Sequence, residues 1–276
     1  MTDIAIPIAL FLCMLILHIL RRREINRSGV VTLLNPNCAL GAASTFGTCT
    51  VQQDYFGVKE LNGALMILLA DGVGQCGEIA AKLAVDTFRN LFINESIPDK
   101  PQYFFRRAAN AANKNILNTL EERQGETSVA AVIINGAQMF YMLVGNCRVA
   151  VFRDGDLIPV SEGQTIDVLA RHRYEEGRIS KQRTLELLDK QRRYNVIGQD
   201  SFEEIELFSK PLKLKKGDLV VVMSEGVFNT LRWKEIEEIL EQNESPQVLA
   251  ETVINRVDKS PMVYKTNATI LICRQA

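Results

Sequence analysis

Short apolar runs that end at turn residues predict a series of β-strands along most of the chain. The runs are rich in strand-forming residues, and each is bounded by Gly, Asn or Asp. The predicted strands are Ala64–Ala70, Ser128–Asn135, Gln138–Val144, Arg148–Arg153, Asp218–Met223 and Ala268–Cys273. The dipeptide Asp154-Gly155, just after one of these runs, is typical of a tight hairpin turn.

A second pattern, in which apolar residues recur every three or four positions, predicts helices between the strands. Gly77–Phe92 and Pro101–Leu120 each carry one apolar face, and the second begins at a proline. Trp233–Gln242 and Pro246–Val257 are two further helices near the C-terminus. Blocks of strands with paired helices between them predict an α+β fold rather than a parallel βαβ sheet.

The N-terminus has a different pattern. Ile4 to Leu20 is apolar apart from Pro7 and His18, and three arginines follow at once. A helix of about 17 residues can cross a thin hydrocarbon core, with arginine stems reaching the interface. Asp3 precedes the apolar run, whereas a secretory signal peptide carries its positive charge there. A retained transmembrane helix is therefore favoured, and a buried helix or a cleaved signal peptide remain as alternatives.

This pattern divides the chain into three parts. Residues 1–23 are expected to anchor the protein, residues 24–39 form a tether of mixed polarity, and residues 40–276 form one domain. The arginines on the C-terminal side of the anchor predict a single-pass protein of the cell membrane, with its C-terminal domain in the cytoplasm.

Composition excludes several classes of function. The formal net charge is −1, the chain has one Trp, and no basic stripe is interleaved with aromatic residues, so nucleic-acid binding is not expected. The six cysteines form no CxxC pair, and two histidines cannot complete a zinc site with plausible spacing. The sequence contains no GxxxxGK[ST], which is one of the commonest nucleotide-binding loops.

The most informative residues for chemistry are Asp71 and Gly72, which follow the strand Ala64–Ala70. A carboxylate at a strand end, beside backbone that glycine allows a ligand to approach, is well placed to hold a hard cation. An isolated Asp-Gly pair is more often only a turn, so its interpretation depends on the motifs that accompany it.

Further motifs stand in order at other strand boundaries. Together with the Asp71 segment they are Gln52–Phe56, Leu68–Gly74, Gly125–Ser128, Val144–Arg148, Ser224–Gly226 and Lys265–Thr269. This series resembles the motif set of the metal-dependent Ser/Thr protein phosphatases (the PPM, or type-2C, family) over almost all of residues 40–275. The resemblance implies a sandwich of two antiparallel β-sheets flanked by helical pairs.

The resemblance also implies a metal site. In this family, aspartates at one end of the sandwich hold two Mn²⁺ or Mg²⁺ ions, and a water activated by both ions attacks the phosphoserine or phosphothreonine phosphorus. Carried over by position, Asp54 and Asp71 are the catalytic residues. Asp54, Asp71, the Gly72 carbonyl and Glu225 are the metal ligands.

Four positions depart from the family pattern. Glu225 and Thr266 stand where metal-binding aspartates are expected, Asn146 replaces an aspartate, and Cys49 replaces an arginine that grips the substrate phosphate. A neutral hydroxyl is a poor metal ligand, and a thiol cannot make the bidentate contact of a guanidinium. Asp54 and Asp71 therefore keep a place for one ion, whereas these departures argue against a second.

Two functions remain open within this family. The first is a regulatory pseudophosphatase, with reduced or lost catalysis, that binds a phosphoprotein or a Ser/Thr kinase at the membrane. The alternative is an active phosphoprotein phosphatase that uses Asp54, Asp71 and Glu225. Thr266 and Cys49 favour the first hypothesis, and the intact Asp71-Gly72 turn favours the second.

The basic segment Arg171–Arg193 also has two interpretations. Acidic residues are interspersed among its arginines, which is typical of a solvated helical face. The alternative is a flap beside the metal end, at the position where the family carries a variable insertion, where it could meet a phosphoprotein or an anionic lipid.

Overall fold

The structure is a computed structural model that describes Met14 and residues 38–94, 100–189, 192–200, 202 and 204–276. The predicted anchor and the tether up to residue 37 lie outside these residues, apart from Met14. Within the described ranges, no helix is both long enough and apolar enough to cross a bilayer. The first described strand begins at Cys38, two residues before the predicted start of the domain.

The strands and helices of the described residues alternate in blocks. In chain order they are β1 (Cys38–Thr45), β2 (Asp54–Leu61), β3 (Ala64–Val73), α1 (Gly77–Asn94), α2 (Pro101–Leu120), β4 (Glu126–Asn135), β5 (Gln138–Val144), β6 (Arg148–Arg153), β7 (Asp156–Pro159), α3 (Ile166–Glu175), α4 (Lys181–Leu187), β8 (Glu206–Leu207), β9 (Leu212–Lys213), β10 (Leu219–Met223), α5 (Glu225–Thr230), α6 (Trp233–Leu240), α7 (Pro246–Asp258) and β11 (Ala268–Gln275).

The strands form two sheets whose described pairs are all antiparallel. The first has the strand order β1-β11-β10-β6-β7, and the second has the order β2-β3-β4-β5-β8, with β9 also paired to β5. The sheets pack face to face around one apolar core, which includes Leu65, Ile67 and Leu69 from β3. This arrangement confirms the predicted α+β sandwich.

Helices cover the outer face of each sheet. Successive side chains of a strand point to opposite faces, so Met66 and Leu68 of β3 turn away from the inter-sheet core and pack against α1 and α2. Phe88 of α1 and Phe104 of α2 meet edge to face, with ring centroids 6.4 Å apart. On the other side α5, α6 and α7 pack on the first sheet. Burial on both faces explains why residues Ala64–Ala70 of β3 are an uninterrupted apolar run.

Most predicted elements are confirmed, and the hairpin at Asp154-Gly155 is among them. Arg153 pairs with Asp156, and the two turn residues have φ values of 55° and 91°, as a turn with two left-handed residues requires. The short elements β7, β8, β9 and α5 were not predicted, nor were β1 and β2, whose burial patterns are less regular.

Two predictions are corrected. The strand predicted to end at Ala70 continues to Val73, because Gly72 and Val73 pair with Thr127 and Glu126 of β4. Asp71 therefore lies within a strand and not in the turn after it. The segment Arg171–Arg193 is not one helical stretch, since α3 ends at Glu175 and α4 spans only Lys181–Leu187.

Candidate functional site

Sheet register brings the two predicted catalytic carboxylates together. Asp54, the first residue of β2, lies directly opposite Asp71 of β3, and Asp71 lies opposite Ser128 of β4. Side chains directly opposite each other on antiparallel strands share a face of the sheet. The polar groups of three neighbouring strands therefore meet at one end of the sandwich.

Asp54 is held by two hydroxyl groups from the opposite sheet. Its Oδ2 accepts hydrogen bonds of 2.7 Å from Ser224 Oγ and 2.7 Å from Thr269 Oγ1. Its Oδ1 is buried and has no hydrogen-bond partner among the residues that the structure describes. Burial raises the pKa of Asp54 to about 6, although the two hydroxyl hydrogen bonds oppose that shift.

Asp71 is the more perturbed of the two carboxyl groups. Burial and then the neighbouring charge of Asp54 raise its pKa to about 8, while the Arg193 guanidinium acts in the opposite direction. Its Oδ2 accepts a long hydrogen bond of 3.4 Å from the backbone N–H of Glu225, at the start of α5. Two buried carboxyl groups on directly opposite strand positions disfavour full ionisation of both.

Gly72 occupies a position with no room for a side chain. A Cβ built there would lie 2.2 Å from the Gly77 carbonyl oxygen and 2.7 Å from that of Gln53. The Gly72 N–H donates to the same Gln53 oxygen at 3.1 Å. The glycine therefore lets β3 approach both the loop before β2 and the first residue of α1.

The carboxylate of Glu225 has two partners, and neither is an acidic residue. Asn229 Nδ2 donates to its Oε1 at 2.9 Å, within α5. Its Oε2 lies 3.8 Å from Nη2 of Arg193. Glu225 thus faces the site beside Asp71, with a guanidinium between the two acids.

Thr266, one of the predicted degenerate positions, is exposed. Its neighbours are ordered by Asn267, which accepts from Gln53 N at 2.9 Å and donates to the carbonyls of Phe46 and Val51 at 3.1 and 3.0 Å. Within the same motif, it is Thr269 and not Thr266 that contacts Asp54.

Cys49 and Asn146, two further positions that depart from the family pattern, both make contacts within the fold. Cys49 is half-buried, and its Sγ lies 3.7 Å from the Lys265 carbonyl oxygen, to which it donates. Asn146 is buried, and its side-chain oxygen accepts from Ser128 Oγ at 3.0 Å. The Cys49 contact joins two neighbouring loops, and the Asn146 contact joins the turn after β5 to β4. A thiol does not replace a guanidinium.

Four residues of the site were not predicted as site residues. They are Ser128, Arg193, Ser224 and Thr269. Three of them lie inside or beside the motifs quoted above, so the motif positions carried a signal that was not used. Arg193 is the last residue of the basic segment, and only its interpretation as a flap beside the metal end pointed to the site.

The described residues do not fit the two-ion centre that the resemblance implies. Nowhere in the ranges that the structure describes are three or more His, Cys, Asp or Glu side chains grouped to hold a metal ion. The exposed Thr266 supplies no carboxylate, and Arg193 brings a positive charge to Asp71 and Glu225. The unpartnered Oδ1 of Asp54 is one oxygen atom that could ligate a metal, and one ligand atom does not make a metal site.

Comparisons with known proteins agree with this fold. The structure is similar to the serine/threonine phosphatase of S. agalactiae, at 20% identity and a TM-score of 0.75, covering 87% of this chain and 100% of that one. It is also similar to the PPM Ser-Thr phosphatase MsPP from Mycobacterium smegmatis in complex with cacodylate (17% identity, TM-score 0.70, 86% and 98% covered). A third similar structure is the catalytic domain of PstP in complex with 2 manganese ions (19% identity, TM-score 0.68, 86% and 98% covered).

The sequence comparison is independent of those structures. No curated protein matches the chain. A family model described as Protein phosphatase 2C matches residues 44–259, which is well over half of the chain and includes Asp54, Asp71 and Glu225. The chain therefore belongs to the protein phosphatase 2C family of metal-dependent Ser/Thr phosphatases.

Proposed function

We propose that this protein is a membrane-anchored pseudophosphatase, which binds a phosphoprotein or a Ser/Thr kinase in cytoplasmic phospho-signalling with little or no turnover. The observation that carries the proposal is the environment of Asp71. Its acidic neighbours are Asp54, whose Oδ2 is bonded to two hydroxyl groups, and Glu225, which shares a guanidinium with it. The exposed Thr266 stands at a position where the family resemblance places an acidic residue.

The loss of charge matters because phosphoryl transfer depends on positive charge at the phosphate oxygens. Cys49 contributes a thiol in place of a guanidinium, and its Sγ is directed at a backbone carbonyl. Each tenfold loss of rate corresponds to about 1.4 kcal/mol, so removing a phosphate clamp and an acidic ligand together accounts for a loss of several orders of magnitude.

The direction of β1 places the site at the end of the sandwich away from Cys38. The chain enters the domain at Cys38, where β1 pairs with the last residues of β11, and reaches Thr45 at the site end. Eight strand residues span about 26 Å, so a tether attached at Cys38 leaves the site at the opposite end of the sandwich. An anchor at residues 1–23 would then place the site towards cytoplasmic partners.

An active phosphatase is the alternative, and one observation favours it. Asp54 and Asp71 lie directly opposite each other, and Asp54 Oδ1 is buried without a hydrogen-bond partner in the described part of the chain. A buried unpaired oxygen is costly, and a cation would satisfy it. Under this alternative, Asp54, Asp71 and Glu225 carry catalysis with Mn²⁺ or Mg²⁺.

Restoring the family residues tests the proposal. The full chain carrying Cys49→Arg, Glu225→Asp and Thr266→Asp is compared with the wild type for hydrolysis of a phosphothreonine peptide in Mn²⁺. We expect kcat/KM to rise by about 100-fold or more, because a phosphate clamp and an acidic ligand are regained. Adding Asp71→Ala to the same triple variant is the control and should remove the gain.

Two results would count against the proposal. If the wild type already hydrolyses the peptide and the triple variant is no faster, the departures from the family pattern do not limit catalysis. If the triple variant retains its gain after Asp71→Ala, the measured activity does not come from this site.

A further inference from the structure

The backbone on both sides of Arg193 is fixed to the body of the domain. Before it, the carbonyl of Arg192 accepts from Ile166 N at 2.9 Å, and Arg193 itself pairs with Thr165. After it, Ile197 exchanges two backbone hydrogen bonds with Thr127 of β4, at 2.8 and 2.9 Å. The end of the basic segment therefore joins the sheet at a defined point. These backbone hydrogen bonds hold Arg193 beside the carboxylates.

The guanidinium of Arg193 spans the acidic residues of the site. Its Nη1 lies 3.8 Å from Asp71 Oδ1 and donates to Ser128 Oγ at 3.4 Å, while its Nη2 lies 3.8 Å from Glu225 Oε2. The side chain is 21% exposed. Each of the two acids that it reaches is one that the family resemblance assigns to metal binding.

A positive charge at this point has a clear electrostatic effect. Carboxylates brought together out of water repel one another, and leaving them without a cation is strongly destabilising. A guanidinium is planar, always charged and able to contact two acids at once. It supplies one charge where a divalent ion supplies two, and it is already attached to the chain.

The surrounding cleft gives the guanidinium control over access. A cleft of about 1110 Å³ opens between the basic segment and the site, and its lining includes Ile166, Leu187, Arg192, Arg193 and Glu225. Arg193 and Glu225 are both on this lining. A cation that approaches Asp71 and Glu225 from the cleft meets the guanidinium at the same carboxylate oxygens.

We propose that Arg193 is a built-in cation that competes with divalent metal for Asp71 and Glu225. It neutralises the site in the absence of metal and lowers the affinity of the site for Mn²⁺. The proposal rests on the same carboxylates as the proposed function but is separable from it. Turnover by the wild type would contradict the proposed loss of catalysis, but it would not contradict the competition between Arg193 and the metal.

Metal binding and thermal stability test the proposal without any activity measurement. Mn²⁺ is titrated calorimetrically into the full chain and into its Arg193→Ala variant, and the unfolding temperature of each is measured with and without Mn²⁺. We expect Arg193→Ala to bind Mn²⁺ about tenfold more tightly than the wild type, since a competing charge is removed. Without metal the variant should unfold at a lower temperature, and Mn²⁺ should restore it.

Arg192→Ala is the matched control, because it removes the same charge from the neighbouring exposed side chain. It should bind Mn²⁺ like the wild type. If Arg193→Ala does not fold, Arg193→Gln removes the charge and keeps most of the length. Equal Mn²⁺ affinities for the wild type and the folded Arg193 variant would overturn the proposal. Tight binding of two Mn²⁺ ions by the wild type, with Arg193 in place, would also overturn the proposal.

Discussion

At the scale of single residues, the site combines two acids that burial makes hard to ionise together. Asp54 and Asp71 have pKa values raised to about 6 and about 8, in each case chiefly by burial. The family motifs pointed to these residues, Gly72 and Glu225, which the fold brings to one end of the sandwich, and their metal-binding and catalytic roles stay predictions. The hydroxyl groups of Ser224 and Thr269 were not predicted, because their contacts with Asp54 join residues 170 and 215 positions apart.

The raised pKa of Asp71 predicts how stability changes with pH. The folded state keeps a proton on Asp71 up to about pH 8, whereas the unfolded chain releases it near the ordinary aspartate pKa of 3.8. The folded state therefore binds more protons across this interval, and the free energy of unfolding falls as pH rises from about 4 to 8. We expect Asp71→Asn to flatten this slope and to stabilise the protein by at least about 1 kcal/mol at pH 8.

Denaturant unfolding of the metal-free full chain at several pH values measures this slope. Asp156→Asn, at an exposed position in the β6–β7 hairpin, is the control and should behave like the wild type. An Asp71→Asn variant whose stability falls with pH as steeply as that of the wild type would show that Asp71 is ionised in the folded protein.

At the scale of elements, the periodicity of hydrophobic residues predicted helices and strands reliably wherever the element is long and buried. The run in β3 and the apolar faces of α1 and α2 contain most of the buried residues in the layer between the second sheet and these two helices. The short strands β8 and β9 consist of two residues each, which is too short for a period to show. The break between α3 and α4 occurs in a polar segment where no apolar repeat marks helix ends.

The edge strand β1 provides a test of how the helices stabilise the sheets. Gln247 of α7 makes two hydrogen bonds to the backbone of Ala42, accepting from its N–H at 3.0 Å and donating to its carbonyl at 3.1 Å. We expect Gln247→Ala to lower the free energy of unfolding by about 1–3 kcal/mol, because backbone groups of the edge strand lose their partners. Denaturant unfolding measures this change.

Val248→Ala is the matched control on the same helix, since Val248 is 41% exposed. It should change stability by less than about 0.5 kcal/mol. Equal effects of the two substitutions would mean that the Gln247 side chain contributes nothing specific to the attachment of α7 to β1.

At the scale of the whole molecule, the fold is that of the protein phosphatase 2C family. The layered sandwich follows from strands whose two faces are both apolar and from helices with one apolar face each. The position of Arg193 could not be predicted in this way, since it depends on where a polar segment returns to the sheet.

Turnover by the wild-type protein tests the central claim most directly. The full chain, purified in mild detergent, is assayed with p-nitrophenyl phosphate and a phosphothreonine peptide in excess Mn²⁺, beside its Asp71→Ala variant. We predict that the wild type hydrolyses neither substrate faster than the variant does. Hydrolysis that Asp71→Ala abolishes would contradict the loss of catalysis and identify the protein as a working phosphatase.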